Sequence, residues 1–195
     1  MRSKSGLLVF CLVASTVTAS CSSTPDKCVP PKLLECANAD LQGADLRGAN
    51  LNAANFKNAD LSGANLTSAI LTVADLTGAN LTGANLDRAN FIGAELSGSN
   101  LRGADLNTAN FIDANLKGAN LTGTNLTDAN FTGADLSLAN LTGARTSILG
   151  GAVVIDANLT GANLTDSDIQ FTDMTGAVLT DAVMPDGTIY TKPSS

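Results

Sequence analysis

A Leu or Phe returns every five residues from Leu41 to Leu141 without a gap, and this period decides what the chain can fold into. Two residues before each of these centres stands Ala, replaced only at Ser99 and Thr124; Asn or Asp usually comes one before, and Gly often two after, as in Ala79-Asn80-Leu81-Thr82-Gly83. In an α-helix five residues advance about 500°, so successive centres would spiral round the axis and leave no apolar face. Gly at the fifth place would add about 1 kcal/mol of cost each time. A flat strand fails differently: Ala39 and Leu41 share a face, but five is odd, so the next centre points the other way. The conflict vanishes if the chain turns a corner once per unit. Ala and the centre then point inward, the other three residues point outward, and four corners close one square coil. Asn or Asp before the centre and Gly after it are residues that turns favour.

The run from Ala39 to Gly143 resembles the pentapeptide-repeat family. That resemblance implies an all-β fold, a right-handed quadrilateral β-helix. Residues twenty apart then stack. Phe91, Phe111 and Phe131 are expected to form an internal aromatic ladder, with Phe56 off that column. Asn80, Asn100, Asn120 and Asn140 align outside, as do Asn90, Asn110 and Asn130, which suggests amide ladders; Asp75, Glu95 and Asp135 share an acidic column.

The pattern breaks at 144–148 and resumes with centres at Leu149, Val154, Leu159, Leu164, Ile169, Met174, Leu179 and Met184. The step from Leu141 to Leu149 carries three extra residues. Arg145, Thr146, Ser147 and Ile148 are read either as a tolerated insertion or as a recognition loop. The two runs together give about seven coils and a rod about 34 Å long. The open ends need covers. Pro31-Lys32-Leu33-Leu34-Glu35 is expected to supply a short N-terminal cap helix, and Pro185-Asp186-Gly187 a C-terminal turn. Ile189 and Tyr190 either close the last coil or form the seam of an end-to-end homodimer, as in several members of the family.

The start of the chain reads as an export signal: Arg2 and Lys4, an apolar run from Leu7 to Val17, then the small residues Thr18-Ala19-Ser20. That run is too short for a spanning helix, which needs about 20 apolar residues. Val17-Thr18-Ala19-Ser20-Cys21 resembles a bacterial lipobox, with Cys21 the lipidated residue, although Thr18 stands where Leu is favoured; ordinary cleavage is the other reading. Removing the signal deletes Cys11 and leaves Cys21, Cys28 and Cys36, an odd number. With Cys21 modified the count resolves: Cys28 and Cys36 pair as a disulfide, or remain two thiols. The expected organisation is a signal peptide at 1–20, tether and cap at 21–38, β-helix at 39–143, break at 144–148, continuation at 149–187 and tail at 188–195.

Charge and residue types bound the function. The chain carries a net charge of −7, and loss of Arg2 and Lys4 leaves about −9, so nucleic acid is not an expected partner. There is no His, and no Ser or Cys stands beside a plausible base, so neither catalysis nor a metal or cofactor site is expected. Asp166-Ser167-Asp168 lacks the ligand pattern of a calcium loop. The expected function is an exported, non-catalytic rod that binds a protein or envelope component, with a membrane reached through Cys21. This is similar to cyanobacterial and chloroplast lumenal relatives. The alternative implied by the resemblance is imitation of the acidic DNA duplex, by which some members protect DNA gyrase; export stands against it.

Overall fold

The computed structural model describes residues 35–146, 151–168 and 171–191. The residue before each centre bridges, in parallel, to the residue twenty further on, as in Asp40↔Asp60, Asp45↔Asn65, Asn50↔Ile70 and Asn55↔Asp75. One turn of the β-helix therefore takes four pentapeptides. The four columns of bridges define four sides. Side one runs through Asn50, Ile70, Asn90, Asn110 and Asn130, side two through Asn55, Asp75, Glu95, Asn115 and Asp135. Side three runs through Asp60, Asn80, Asn100, Asn120 and Asn140, and side four through Asn65, Asn85, Asp105 and Asn125.

Each corner among the described residues is a β-turn. The Ala44 N–H donates to the Leu41 carbonyl at 3.1 Å across Gln42 and Gly43, and Gly43 has φ +63°. A positive φ at the third residue is the signature of a type II turn and explains why Gly so often stands two after a centre. Between coils, the Leu41 N–H donates to Asp60 O at 2.7 Å, the Asp60 N–H returns to Ala39 O at 2.8 Å, and the Gly43 N–H reaches Ser62 O at 2.9 Å. With a corner every five residues only short stretches pair, so strands longer than one bridge are exceptional. The two found among the described residues, β1 (Ala152–Val153) and β2 (Phe171–Asp173), pair through a bulge in which Ala152 faces Phe171 and Val153 faces Asp173.

The interior is dry. From Leu51 to Leu141 every centre is at least 98% buried, and the Ala column beside them is equally enclosed. Phe91 and Phe111 stack with ring centroids 4.7 Å apart and 1° between planes; Phe111 and Phe131 follow at 5.0 Å and 5°. Burial of each Leu or Phe contributes roughly 1.5–3 kcal/mol.

The register break lies later than the side-chain pattern suggests. Ala144 is still fully buried, Arg145 still bridges Asn125, and the Leu126 N–H still donates to Arg145 O at 2.7 Å. Thr146 follows Arg145, so it takes the centre's place without being apolar. The next bridge, Asn130↔Val153, spans 23 residues, so the three extra residues fall between Arg145 and Val153. Backbone pairing carried the register past a residue that broke the side-chain rule.

At the C-terminal end the chain folds back. Val183 and Ile189 form an antiparallel bridge, the Met184 N–H donates to Thr188 O at 2.7 Å, and the Tyr190 N–H donates to Ala182 O at 2.7 Å. Tyr190 packs on the core while Ile189 is exposed. The signal segment, the cap helix, Cys21, Cys28, Ser147 and Ile148 all lie outside the described residues.

Candidate functional site

With the interior filled, chemistry is left to the outward positions: the bridge residue, the residue after the centre, and the positive-φ corner residue. The bridge residue is first a turn residue. Asn65 Oδ1 accepts the Thr67 N–H at 3.1 Å and the Thr67 hydroxyl at 2.7 Å, and the same pair of bonds recurs at Asn80–Thr82, Asn120–Thr122 and Asn140–Thr142. Such side-chain caps are what Asn and Asp offer a turn.

This local bond reshapes the expected amide ladders. Among the described residues only Asn120 donates directly to the amide below it, to Asn100 Oδ1 at 3.2 Å; Asn100 instead reaches Thr82 Oγ1 at 2.9 Å, and Asn80 reaches Asp60 Oδ1 at 3.0 Å. More often an amide of one coil meets a carboxylate of the coil before: Asn107 to Asp87, Asn115 to Glu95, Asn125 to Asp105 and Asn158 to Asp135.

Three other carboxylates, Asp45, Asp60 and Asp75, are held charged by contacts of their own. Two hydrogen bonds from Arg47, at 2.7 and 2.6 Å, keep Asp45 below its ordinary range; Gln42 at 2.6 Å does so for Asp60, and the Thr77 contact for Asp75. Among the described residues no group of three His, Cys, Asp or Glu side chains could hold a metal ion, and no helix is long and apolar enough to cross a membrane. Cys36 is buried, and as a thiol it is pushed up to about 11, first by burial and then by Glu35. Arg145 is exposed with its backbone paired to Asn125, and Thr146 beside it is partly buried; Ser147 and Ile148 lie outside the described residues.

The four sides differ in a way the repeat does not require. Between residues 50 and 112, side two carries Lys57, Asp75 and Glu95, side three Asp60 and Arg102, and side four Asp87, Arg88 and Asp105. Side one carries no ionisable group over that span. It presents Ile70, Val73, Ile92 and Ile112 instead, a distribution that the pairing of coils reveals.

The sequence model described as "Pentapeptide repeats" matches in eight copies, over residues 35–72, 69–107, 109–145 and 149–181. The chain belongs to the pentapeptide-repeat family. Its β-helix is therefore the right-handed one of that family. No curated protein matches this pentapeptide-repeat chain. Among solved structures it is similar to a pentapeptide repeat protein of the Arabidopsis thaliana thylakoid lumen, with 30% identity, 64% of this chain and 71% of that one covered, and a TM-score of 0.44. It is also similar to HetL of Nostoc sp. strain PCC 7120, involved in heterocyst differentiation regulation: 32% identity, 79% and 86% coverage, TM-score 0.31. QnrB1, a plasmid-mediated fluoroquinolone resistance protein, shares 22% identity over 76% of this chain and 81% of that one, with a TM-score of 0.39.

These comparisons correct the partner expectation. The sequence excluded nucleic acid as a partner and pointed to an envelope component, to a membrane through Cys21 and to a second copy at the C-terminal coil, with imitation of the DNA duplex as the alternative. The matched proteins include one named for fluoroquinolone resistance and one for involvement in heterocyst differentiation regulation, and neither name supports an envelope partner or the exclusion of nucleic acid. The physical error was one of scope. Negative charge opposes contact with a polyanion, but it does not oppose a surface that takes a polyanion's place on a basic protein.

Proposed function

We propose that this pentapeptide-repeat protein is an exported, non-catalytic rod of about seven coils that binds a protein partner along one of its flat sides. One observation carries the reading. Interior side chains and backbone groups are consumed by coil-to-coil packing, so recognition falls to outward columns repeated at about 4.8 Å. The capped carboxylates and amides are turn partners, which leaves no nucleophile–base pair in this reading.

Export is supported by the basic start at Arg2 and Lys4, the apolar run to Val17 and the small residues before Cys21. A Cys28–Cys36 disulfide belongs to the same reading and suits an oxidising compartment. Intact-mass measurement of the native protein tests both: a mature terminus at Cys21, with any acyl group read directly, and a mass gain of two hydrogens on reduction. Retention of Met1 overturns export. A supercoiling assay with excess rod tests the family's gyrase-protecting activity, and an effect on gyrase would replace the exported-rod reading.

A further inference from the structure

The geometry points to side one as the docking surface for a basic amphipathic helix of a partner protein, an inference that rests on the rod reading and names the partner's chemistry. Inter-coil pairing brings Ile70, Val73, Ile92, Ile112, Val153 and Ile155 into one stripe, interrupted by Asn90, Asn110, Asn130 and Thr132: the Val73 N–H donates to Ile92 O, the Gly93 N–H to Ile112 O, the Gly133 N–H to Ile155 O, and Val153 bridges Asn130.

Two of these residues are locally unfavourable. Ile70 is 41% exposed and occupies the place where Asn or Asp caps the turn, so it has no oxygen for the Thr72 N–H. Val73 is 56% exposed and β-branched, yet sits at φ +50° where most repeats have Gly. Both departures fall in one pentapeptide and place aliphatic groups in solvent. Coil stability alone favours neither, which is the signature expected of a contact surface.

The surroundings select the occupant. Asp113 and Asp156 stand in the Val73 column and Asp75, Glu95 and Asp135 on the next side, against Lys57, which reaches Asp75 only at 3.9 Å, Lys117 on that side and Arg88 at the other edge. An anionic lipid surface or a second copy of this acidic chain meets like charge there; a helix with Lys or Arg beside its apolar face meets its complement. A partner strand has no free edge to join, because the backbone of each inner coil already pairs with the coils above and below. From Ile70 to Ile155 is four rises, about 19 Å, which about 13 helical residues span. An apolar helix stripe about 100° wide suits one flat side.

The test uses the mature full chain and a labelled 18-residue helical peptide with Leu at i, i+3, i+4 and i+7 and Lys flanking them, read by fluorescence anisotropy. The expected result is saturable binding in the micromolar range that weakens with salt. It weakens about tenfold or more for the same peptide with Glu in place of Lys, and again for the rod carrying Ile70→Asn, Val73→Gly, Ile92→Thr and Ile112→Thr. All four replacements are residues the repeat uses at equivalent places, so this variant is expected to stay folded, which its thermal melt checks. Equal binding by the variant, equal binding of the Glu peptide, or preference for phosphatidylglycerol vesicles overturns the inference. So does a dimer in sedimentation that the variant abolishes. Absence of peptide binding also overturns it and leaves the rod reading standing, since that reading is tested by the mature mass and by gyrase activity.

Discussion

The Asn58 side chain lies over Gly78: a Cβ on Gly78 would stand 2.6 Å from Asn58 Oδ1 of the coil before. The same relation joins Asp113 to Gly133 and Asp156 to Gly176, and Leu138 Cδ2 would meet a Cβ on Gly161 at 2.9 Å. Side chains at the positive-φ corner thus lean along the axis, and glycine one coil later makes room.

Gly78→Ala is therefore expected to destabilise more than Gly63→Ala. Both positions are left-handed, at φ +66° and +64°, so each substitution costs about 1 kcal/mol in backbone strain. A Cβ at Gly63 meets nothing within 4 Å, whereas at Gly78 the Asn58 amide must move and loosen. Thermal unfolding of the two variants decides it; equal melting temperatures would refute the packing relation.

The aromatic ladder makes a second prediction. Phe111 is fully buried between Phe91 and Phe131. Phe111→Ala is expected to cost roughly 3–5 kcal/mol, because a narrow coil held by hydrogen bonds on every side cannot collapse on the cavity. Phe111→Leu restores the commoner centre and is expected to cost less than half as much. Denaturant melts compare the two, and a Leu variant as unstable as the Ala variant speaks against this account.

Ser99 and Thr124 both stand where the repeat has Ala, with different consequences. The Ser99 hydroxyl is buried without a hydrogen-bond partner, whereas Thr124 Oγ1 donates to Leu121 O at 2.8 Å. Ser99→Ala is expected to stabilise by about 1 kcal/mol or more, since it removes a desolvated polar group. Thr124→Ala removes a satisfied one and is expected to be neutral or destabilising. A lower melting temperature for Ser99→Ala contradicts the reading.

Acid stability follows from the capped carboxylates. Asp45, Asp60 and Asp75 have folded values held below their ordinary ones. Groups depressed on folding contribute stability above the unfolded value, about 3.9, and lose it as pH falls through the lower folded values. The melting temperature is thus expected to hold between about pH 5 and 7 and to decline below about pH 4. Asp75→Asn keeps an Oδ1 for the Thr77 N–H but not the charge that this contact favours, so it should lower neutral stability slightly and shallow the acid decline. An unchanged acid profile in that variant argues against the assignment.

Much of this was legible before any coordinates. The five-residue period predicted a corner per unit and an interior of Leu, Phe and Ala, and the spacing of Phe91, Phe111 and Phe131 predicted their column. Less legible was the use of each outward group. Asn120 and Asn100 share a column, but whether their amides meet depends on rotamers that the turn N–H two residues on has already claimed. The late break was hidden for a related reason: Thr146 looks foreign by side chain, while its neighbour Arg145 keeps its backbone pair with Asn125.

What the amino-acid order determined by itself is local: which residues turn, which face inward, and that no α-helix or flat strand accommodates the period. Only the tertiary structure decided who stands beside whom on the outside. Ile112 and Ile155 belong to one stripe because coils close after twenty residues, and the three-residue insertion stretches the step from Asn130 to Val153 to 23. A repeat encodes its own corner through short-range sterics, but neighbours across coils are set by closure and inter-coil hydrogen bonds, which no single unit contains.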